Sequence, residues 1–143
     1  MPTLVKSPAP SSDLWLPRSP KSALFARRHL EQFLNTIADG HRLIETGELL
    51  VSELVTNAVV HGTREGRLVW LSLRFRADGR LRVEVHDSSS RLPVQQQAEH
   101  RDSHGRGLFL VNSLADDWGS HPRPCGIGKI VWCVISPEGS REA

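Results

Sequence analysis

The sequence predicts an α+β fold, a two-layer sandwich in which a mixed, mostly antiparallel sheet packs on helices. The strongest observation is a long amphipathic helical pattern from about Ile44 to His61. The second is a hairpin pattern, in which two segments of alternating polarity flank a glycine-containing turn at 77–80. Hairpin strands pair antiparallel, so this pattern disfavours a Rossmann arrangement. The expected order is helix, helix, strand, strand, loop, helix, strand, strand.

Length and composition limit the possible classes of function. A chain of 143 residues is expected to form one domain with a single core. Charged residues make up 24% of the chain and the net charge is only +2, which disfavours a nucleic-acid-binding role. The proline- and serine-rich start has no apolar segment long enough for a signal peptide or a membrane span. We therefore expect a cytoplasmic protein without a membrane partner, with Cys125 and Cys133 as reduced thiols.

The chain is divided into a predicted disordered tail at 1–12, a folded domain at 13–137 and a flexible C-terminal tail at 138–143. Within the domain, residues 14–16 are expected to form a short edge strand. Ser19 as N-cap and Pro20 at the first helical position then begin the first helix.

The second helix is expected to end at Gly62, in the left-handed conformation that glycine adopts easily. A strand from Arg67 to Arg76 follows, and the turn leads into a second strand. In that second strand the apolar side chains alternate with polar ones, and Asp87 lies at its end.

The polar segment 91–104 has no clear period and is interpreted as a mobile loop of a length that is often functional. A third helix begins at Gly105, and the segment 116–119 is expected to close it. The last strand spans about Lys129 to Ile135.

Glu53 and Asn57 are the first candidate site residues, because a spacing of four places them on one face of the second helix. A carboxylate and a carboxamide suit a hydrated Mg²⁺ ion, and the carboxylate could activate a hydroxyl group or water. In isolation, such a pair more often decorates a solvated helix edge.

Two further elements accompany this pair. Asp87, followed by Ser88 and Ser89, can accept a hydrogen bond from an exocyclic amine and leaves space for a flat ring, although alone it would indicate a plain turn. In 105–107, two glycines at the start of a helix allow backbone amides to approach a phosphate. A lone Gly-x-Gly is weak evidence, but the three elements in this order are specific.

With these elements the sequence resembles the histidine-kinase-like ATPase (GHKL or Bergerat) superfamily, and in particular the small bacterial anti-sigma-factor serine kinases. The resemblance covers most of 15–135. It implies ATP and Mg²⁺ as cofactors, with Asn57 as the metal ligand and Glu53 as the catalytic general base. It also implies that Asp87 and Ser89 bind the adenine end. The box that it implies for the phosphates, after a lid at 91–104, consists of Gly105, Arg106, Gly107 and Leu108.

The implied function is that of an anti-sigma factor with serine/threonine kinase activity. Such a protein phosphorylates an anti-anti-sigma (STAS-type) partner and sequesters a sigma factor. The exposed face of the first helix is a candidate surface for that factor or for a homodimer, although an apolar stripe more often belongs to the core. The alternative is a catalytically inactive, ATP-responsive module that only binds a partner. A metal or redox protein is disfavoured, because His100 and His104 have no matching pair of ligands.

One departure from the family concerns the final strand, where a threonine or serine commonly contributes to the adenine pocket. Ile130 is predicted to stand at that position, and the lost hydroxyl is expected to weaken nucleotide binding by roughly 0.5–1.5 kcal/mol. The segment 126–129 is interpreted as a turn rather than a phosphate loop, because the lysine is followed by isoleucine instead of serine or threonine.

Overall fold

The computed structural model describes residues 9–89 and 105–139, and within the latter range the side chains from residue 110 onward. Within these ranges the regular elements are three α-helices and five strands, with a 3₁₀ turn before the second helix and a π-helical turn after it. In chain order they are β1 (Ser11–Leu16), α1 (Ser22–Asn35), the 3₁₀ turn (Gly40–Leu43), α2 (Ile44–Asn57), the π-helical turn (Ala58–Gly62), β2 (Val69–Phe75), β3 (Leu81–Asp87), α3 (Gly105–Leu114), β4 (Asp117–Pro122) and β5 (Lys129–Ile135).

The five strands form one sheet in the order β1-β2-β3-β5-β4, and each neighbouring pair is antiparallel. The predicted hairpin is confirmed, since Trp70 lies opposite His86 and Phe75 opposite Leu81. Its turn includes Gly79 at φ 81°, a left-handed conformation that favours glycine. β3 and β5 are adjacent and lie inside the sheet, so the end of β3 is held from both sides.

The helices cover one face of the sheet, which confirms the predicted two-layer α+β sandwich. α2 contacts both α1 and α3. Alternate residues of the inner strands point toward the helices, as the pleat of a strand requires. The fully buried side chains that join the two layers include Leu30, Leu34, Leu50, Val51, Val55, Leu71, Leu73, Val83, Cys133 and Ile135.

The opposite face of the sheet carries aromatic side chains. Trp15 stacks on Trp70 with ring centroids 5.5 Å apart, and Trp70 contacts the ring of His86 at 4.4 Å. The Arg82 guanidinium lies 4.5 Å from the centre of the Trp132 ring. Burial lowers the pKa of His86, although its partner Glu84 opposes this shift.

The start of the first helix differs from the prediction. α1 begins at Ser22, after Lys21 and without a side-chain cap, whereas Ser19 and Pro20 lie in the turn before it. The hydroxyl of Ser22 is buried and donates a hydrogen bond to the Pro17 carbonyl. This contact shapes the turn, so the helix starts later than the capping pattern indicated. β1 begins at Ser11, earlier than the predicted strand.

The end of the second helix also differs. α2 ends at Asn57 and continues as the π-helical turn, and Gly62 is not among the described glycines with positive φ. The predicted left-handed cap at Gly62 is therefore wrong. The glycine is required for a different reason, a close approach to Asp87 that is described below.

Most of the segment expected to close the third helix, residues 117–119, lies instead in β4. α3 ends at Leu114, and β4 pairs with β5 from Asp117, which lies opposite Val134. The predicted final strand is confirmed with its boundaries. Glu138, which lies in the predicted C-terminal tail, donates its backbone N–H to the Arg42 carbonyl at 2.8 Å.

Both cysteines are free thiols, with Cys125 exposed and Cys133 buried. Among the described helices, none is long and apolar enough to cross a membrane.

Candidate functional site

Glu53 and Asn57 lie in the last two turns of α2, and both side chains are partly exposed. The residues between them on the opposite helix face, Leu54 and Val55, are buried in the core. The apolar face therefore fixes α2 against the sheet and leaves the predicted pair accessible. The π-helical turn begins directly after Asn57, and such turns often mark functional positions within helices.

Asp87 ends β3, and its carboxylate is held by groups of the chain itself. The ammonium of Lys129 lies 2.8 Å from Oδ2 and donates a hydrogen bond to Oδ1 at 3.1 Å. The backbone N–H of Ser89 donates to Oδ1 at 2.9 Å. The side chains of Asp87 and Lys129 are each only 2% exposed, so this is a buried ion pair. Sequence reasoning missed Lys129 as a residue of the site.

Two glycines bring the backbone close to Asp87. A Cβ atom added at Gly62 would lie 2.2 Å from Oδ2, and one added at Gly128 would lie 2.0 Å from the Asp87 carbonyl oxygen. Real Cβ atoms do not approach other atoms so closely, so only glycine fits at either position. Gly128 also has φ 86°, which favours glycine independently. The aspartate is therefore enclosed by the π-helical turn, by Gly128 and by Lys129.

Burial raises the pKa of Asp87 to about 6. The Lys129 ammonium, the Ser89 N–H and the Arg123 charge all favour the ionised carboxylate and act in the opposite direction. Desolvation outweighs them, because the carboxylate has lost most of its contact with water.

The structure corrects the prediction for Ile130. β3 and β5 pair so that Asp87 lies opposite Lys129, while Ile130 lies opposite His86. Successive side chains of a strand point to opposite faces of the sheet, so Ile130 shares a face with His86 and not with Asp87. Lys129, directly after Gly128, is the residue that stands beside the predicted adenine-binding aspartate.

α3 begins at Gly105, so Gly105 and Gly107 lie in its first turn, and α3 contacts α2. The amide groups at a helix N-terminus carry partial positive charge and are not used within the helix. The side chains of Arg106 and Leu108, the predicted lid at 91–104 and the two histidines within it lie outside the described residues.

A cleft of about 500 Å³ opens beside Ser88, the residue that follows Asp87 at the end of β3. Three arginines line it, one from the β4–β5 loop and two from the segment between the π-helical turn and β2. Exposed apolar groups also line it, namely Trp15, Leu68 and Ile127. The sequence pattern did not reveal this cleft, because its arginines, Arg64, Arg67 and Arg123, are far apart in the chain.

The residues present fit only part of the nucleotide that the resemblance implies. Glu53 and Asn57 supply oxygen donors of the type that Mg²⁺ prefers, and the glycine-containing first turn of α3 suits phosphate groups. Asp87 does not fit a base amine as it stands, because both of its carboxylate oxygens already accept hydrogen bonds or ionic contacts from the chain.

Comparison with known proteins gives one family match and several structural matches. The model of the histidine kinase-like ATPase domain family matches residues 16–134. No curated protein sequence matches the chain significantly.

One similar solved structure contains the RsbU and RsbW domains of Rv1364c from Mycobacterium tuberculosis, with 21% identity and a TM-score of 0.68. It covers 92% of this chain, which spans only 33% of that protein. Another is the histidine kinase domain of the blue-light activated histidine kinase EL346 from Erythrobacter litoralis, with 23% identity and a TM-score of 0.50. The match covers 77% of this chain and 64% of that one. These likenesses show the same fold, and the family match extends over most of the chain. The chain therefore belongs to the histidine kinase-like ATPase domain family.

Proposed function

We propose that this protein is an ATP-binding regulatory domain of the anti-sigma-factor kinase type, which transfers a phosphoryl group to a serine or threonine of a partner protein. The observation that carries the proposal is the pairing of two accessible polar residues, Glu53 and Asn57, on α2. This helix contacts α3, whose first turn contains Gly105 and Gly107. The family match over 16–134 supports ATP binding by this domain.

Each residue of this half of the site has a role in the proposal. Asn57 holds Mg²⁺, which neutralises the charge of the phosphates, and the backbone amides at Gly105 and Gly107 hold the phosphate oxygens. The resemblance adds Arg106 and Leu108 to this phosphate box. Glu53 accepts the proton of the attacking hydroxyl group. Phosphoryl transfer depends chiefly on positioning and charge neutralisation, so few catalytic groups are sufficient.

The proposed partners are a STAS-type anti-anti-sigma protein as substrate and a sigma factor as the protein that is sequestered, both in the cytoplasm. The structural likeness to a protein with an RsbW domain supports the proposal of these partners. α1 carries two large apolar side chains, Leu24 and Phe25, that are 38% and 40% exposed. They mark α1 as a candidate surface for the sigma factor or for a second copy of the chain.

Titration calorimetry with ATP, with and without Mg²⁺, tests the binding step. We expect Mg²⁺-dependent binding that Asn57→Ala removes or weakens at least tenfold. Thr56→Ala is the matched control, because Thr56 is the exposed neighbour on the same helix and should leave binding unchanged. No binding by the folded wild-type protein at millimolar ATP would contradict the proposal.

Transfer of labelled phosphate to a purified anti-anti-sigma protein tests the catalytic step. Glu53→Gln should keep ATP binding and lose transfer by at least a hundredfold, in the range that a positioned general base contributes. Glu31→Gln removes an exposed carboxylate from the neighbouring α1 and serves as the control. Equal transfer by Glu53→Gln and the wild type would remove Glu53 from the mechanism.

A second candidate function is the catalytically inactive partner-binding module. Two observations favour it. The carboxylate of Asp87 is already paired with Lys129, and a nearby cleft is lined by arginines and exposed apolar side chains. An acidic partner segment with apolar side chains would complement that cleft. This function predicts a stable complex with the partner and no phosphate transfer, so the transfer assay separates the two candidates.

A further inference from the structure

Lys129 is a buried charged residue to which the proposed function gives no role. Its side chain is 2% exposed, and it reaches across the β3–β5 pair to the one carboxylate that the resemblance assigns to the adenine base. We propose that Lys129 takes the place of the base amine as the hydrogen-bond donor to Asp87, so that this site binds nucleoside triphosphates without selecting adenine through its amino group. This inference rests on the proposed function, because it assumes that the site binds a nucleotide.

The acceptor groups of Asp87 are already used. Oδ1 accepts from both the Lys129 ammonium and the Ser89 N–H, at 3.1 and 2.9 Å, and Oδ2 lies 2.8 Å from the same ammonium. A carboxylate has further lone pairs, but Asp87 is only 2% exposed and Gly62 lies directly against Oδ2. A base amine therefore finds no accessible acceptor at this residue.

An amine of the base cannot easily displace the lysine. The ammonium carries a full charge, whereas the exocyclic amine of adenine is neutral and forms a weaker hydrogen bond to a carboxylate. Moving the lysine away would also leave the buried Asp87 without its countercharge, which is strongly unfavourable. The backbone of Lys129 is fixed in the strand ladder opposite Asp87, and Gly128 lies against the Asp87 carbonyl. The ion pair therefore persists when a nucleotide is bound.

The test compares two nucleotides that differ only in the amino group. Wild-type protein is titrated with Mg·ATP and with the Mg²⁺ complex of purine riboside 5′-triphosphate, which lacks the 6-amino group. We expect the two dissociation constants to agree within about twofold. Lys129→Thr exposes the acceptor oxygens and should give a preference for ATP of at least tenfold. Lys21→Thr changes an exposed lysine before α1 and should behave like the wild type.

Each outcome decides between the possibilities. A wild-type preference for ATP of tenfold or more, lost in Asp87→Asn, would show that Asp87 reads the amine despite Lys129, and would overturn the inference alone. A Lys129→Thr variant that is folded and shows no preference would overturn it as well. If Lys129→Thr does not fold, Lys129→Ala is used and the same preference is expected, while the wild-type comparison needs no variant. Failure of the wild type and variants to bind either nucleotide would contradict the proposed function itself.

Discussion

Gly62→Ala is expected to be among the most disruptive single changes in this chain, although it adds only one methyl group. The new Cβ would lie 2.2 Å from Oδ2 and 2.5 Å from Cγ of Asp87. The carboxylate cannot simply turn away, because Lys129 and the Ser89 N–H hold its oxygens. Either the π-helical turn moves away from β3, or Asp87 separates from its lysine.

The two responses give a range for the loss of stability. Overpacking a buried site by one methyl group typically costs about 1–3 kcal/mol. If the carboxylate leaves the ammonium, the cost approaches that of breaking a buried ion pair, roughly 3–5 kcal/mol. We therefore expect the free energy of unfolding to fall by about 3 kcal/mol, a large part of the stability of a typical domain.

Urea unfolding followed by tryptophan fluorescence measures this loss. Gly79→Ala is the control, because Gly79 has φ 81° and an added Cβ there meets no atom within 4 Å. That variant has only the strain of the left-handed backbone, roughly 1–2 kcal/mol. The reasoning is refuted if Gly62→Ala loses no more stability than Gly79→Ala.

Three further predictions concern Asp87, the two cysteines and Ser22. The folded pKa of Asp87, about 6, lies above its unfolded value near 3.8, so its stabilising contribution is present below the unfolded value and is lost as pH rises through 6. Between pH 4 and 6 the unfolding free energy of the wild type should therefore fall relative to that of Asp87→Asn, by about 3 kcal/mol at most. Urea unfolding at a series of pH values measures this, and the same pH dependence of the unfolding free energy in both proteins would contradict it. Burial raises the pKa of the Cys133 thiol to about 12, so a thiol reagent should label only Cys125 in native protein, and Cys125→Ser should abolish rapid labelling. Ser22→Ala removes a buried hydroxyl that donates to the Pro17 carbonyl, which then still accepts from the Ser19 N–H. A loss of about 1 kcal/mol, the net contribution of one hydrogen bond, is expected in the same urea assay, and no change would show that the contact is dispensable.

The periodic elements of the fold were predictable because their patterns record which face of each element is buried. The alternation in β2 and β3 and the helical spacing in α2 reflect burial directly, and these elements are confirmed. The ends of elements depend on contacts between distant residues instead. Ser22 ties the start of α1 to Pro17, and Gly62 ends the π-helical turn against Asp87, and neither contact has a local signature.

The same limit applies to the candidate site. Glu53 and Asn57 could be predicted as candidates because helical spacing alone places them on one face. Lys129 was missed because its place beside Asp87 depends on the register between β3 and β5, and the two residues lie 42 positions apart in the chain. A register shift of one residue moves a side chain to the other face of the sheet, and this separates Ile130 from Lys129. Gly128 offered a signal, since its left-handed backbone and its contact with Asp87 fix which residue follows at the start of β5.

The presence of Lys129 instead of Ile130 beside Asp87 alters the expected binding free energy at the adenine end of the candidate site. With Ile130 beside Asp87, the predicted effect was the loss of one neutral hydrogen bond, roughly 0.5–1.5 kcal/mol. With Lys129 there, an amine that displaces the ammonium gains at most a hydrogen bond to a charged group, about 1.5–3 kcal/mol. It must also break a buried ion pair, at a cost of roughly 3–5 kcal/mol. Because the cost exceeds the gain, Asp87 stays paired with Lys129. The proposed nucleotide site therefore requires its affinity to come from the proposed phosphate end, where α2 and α3 are in contact.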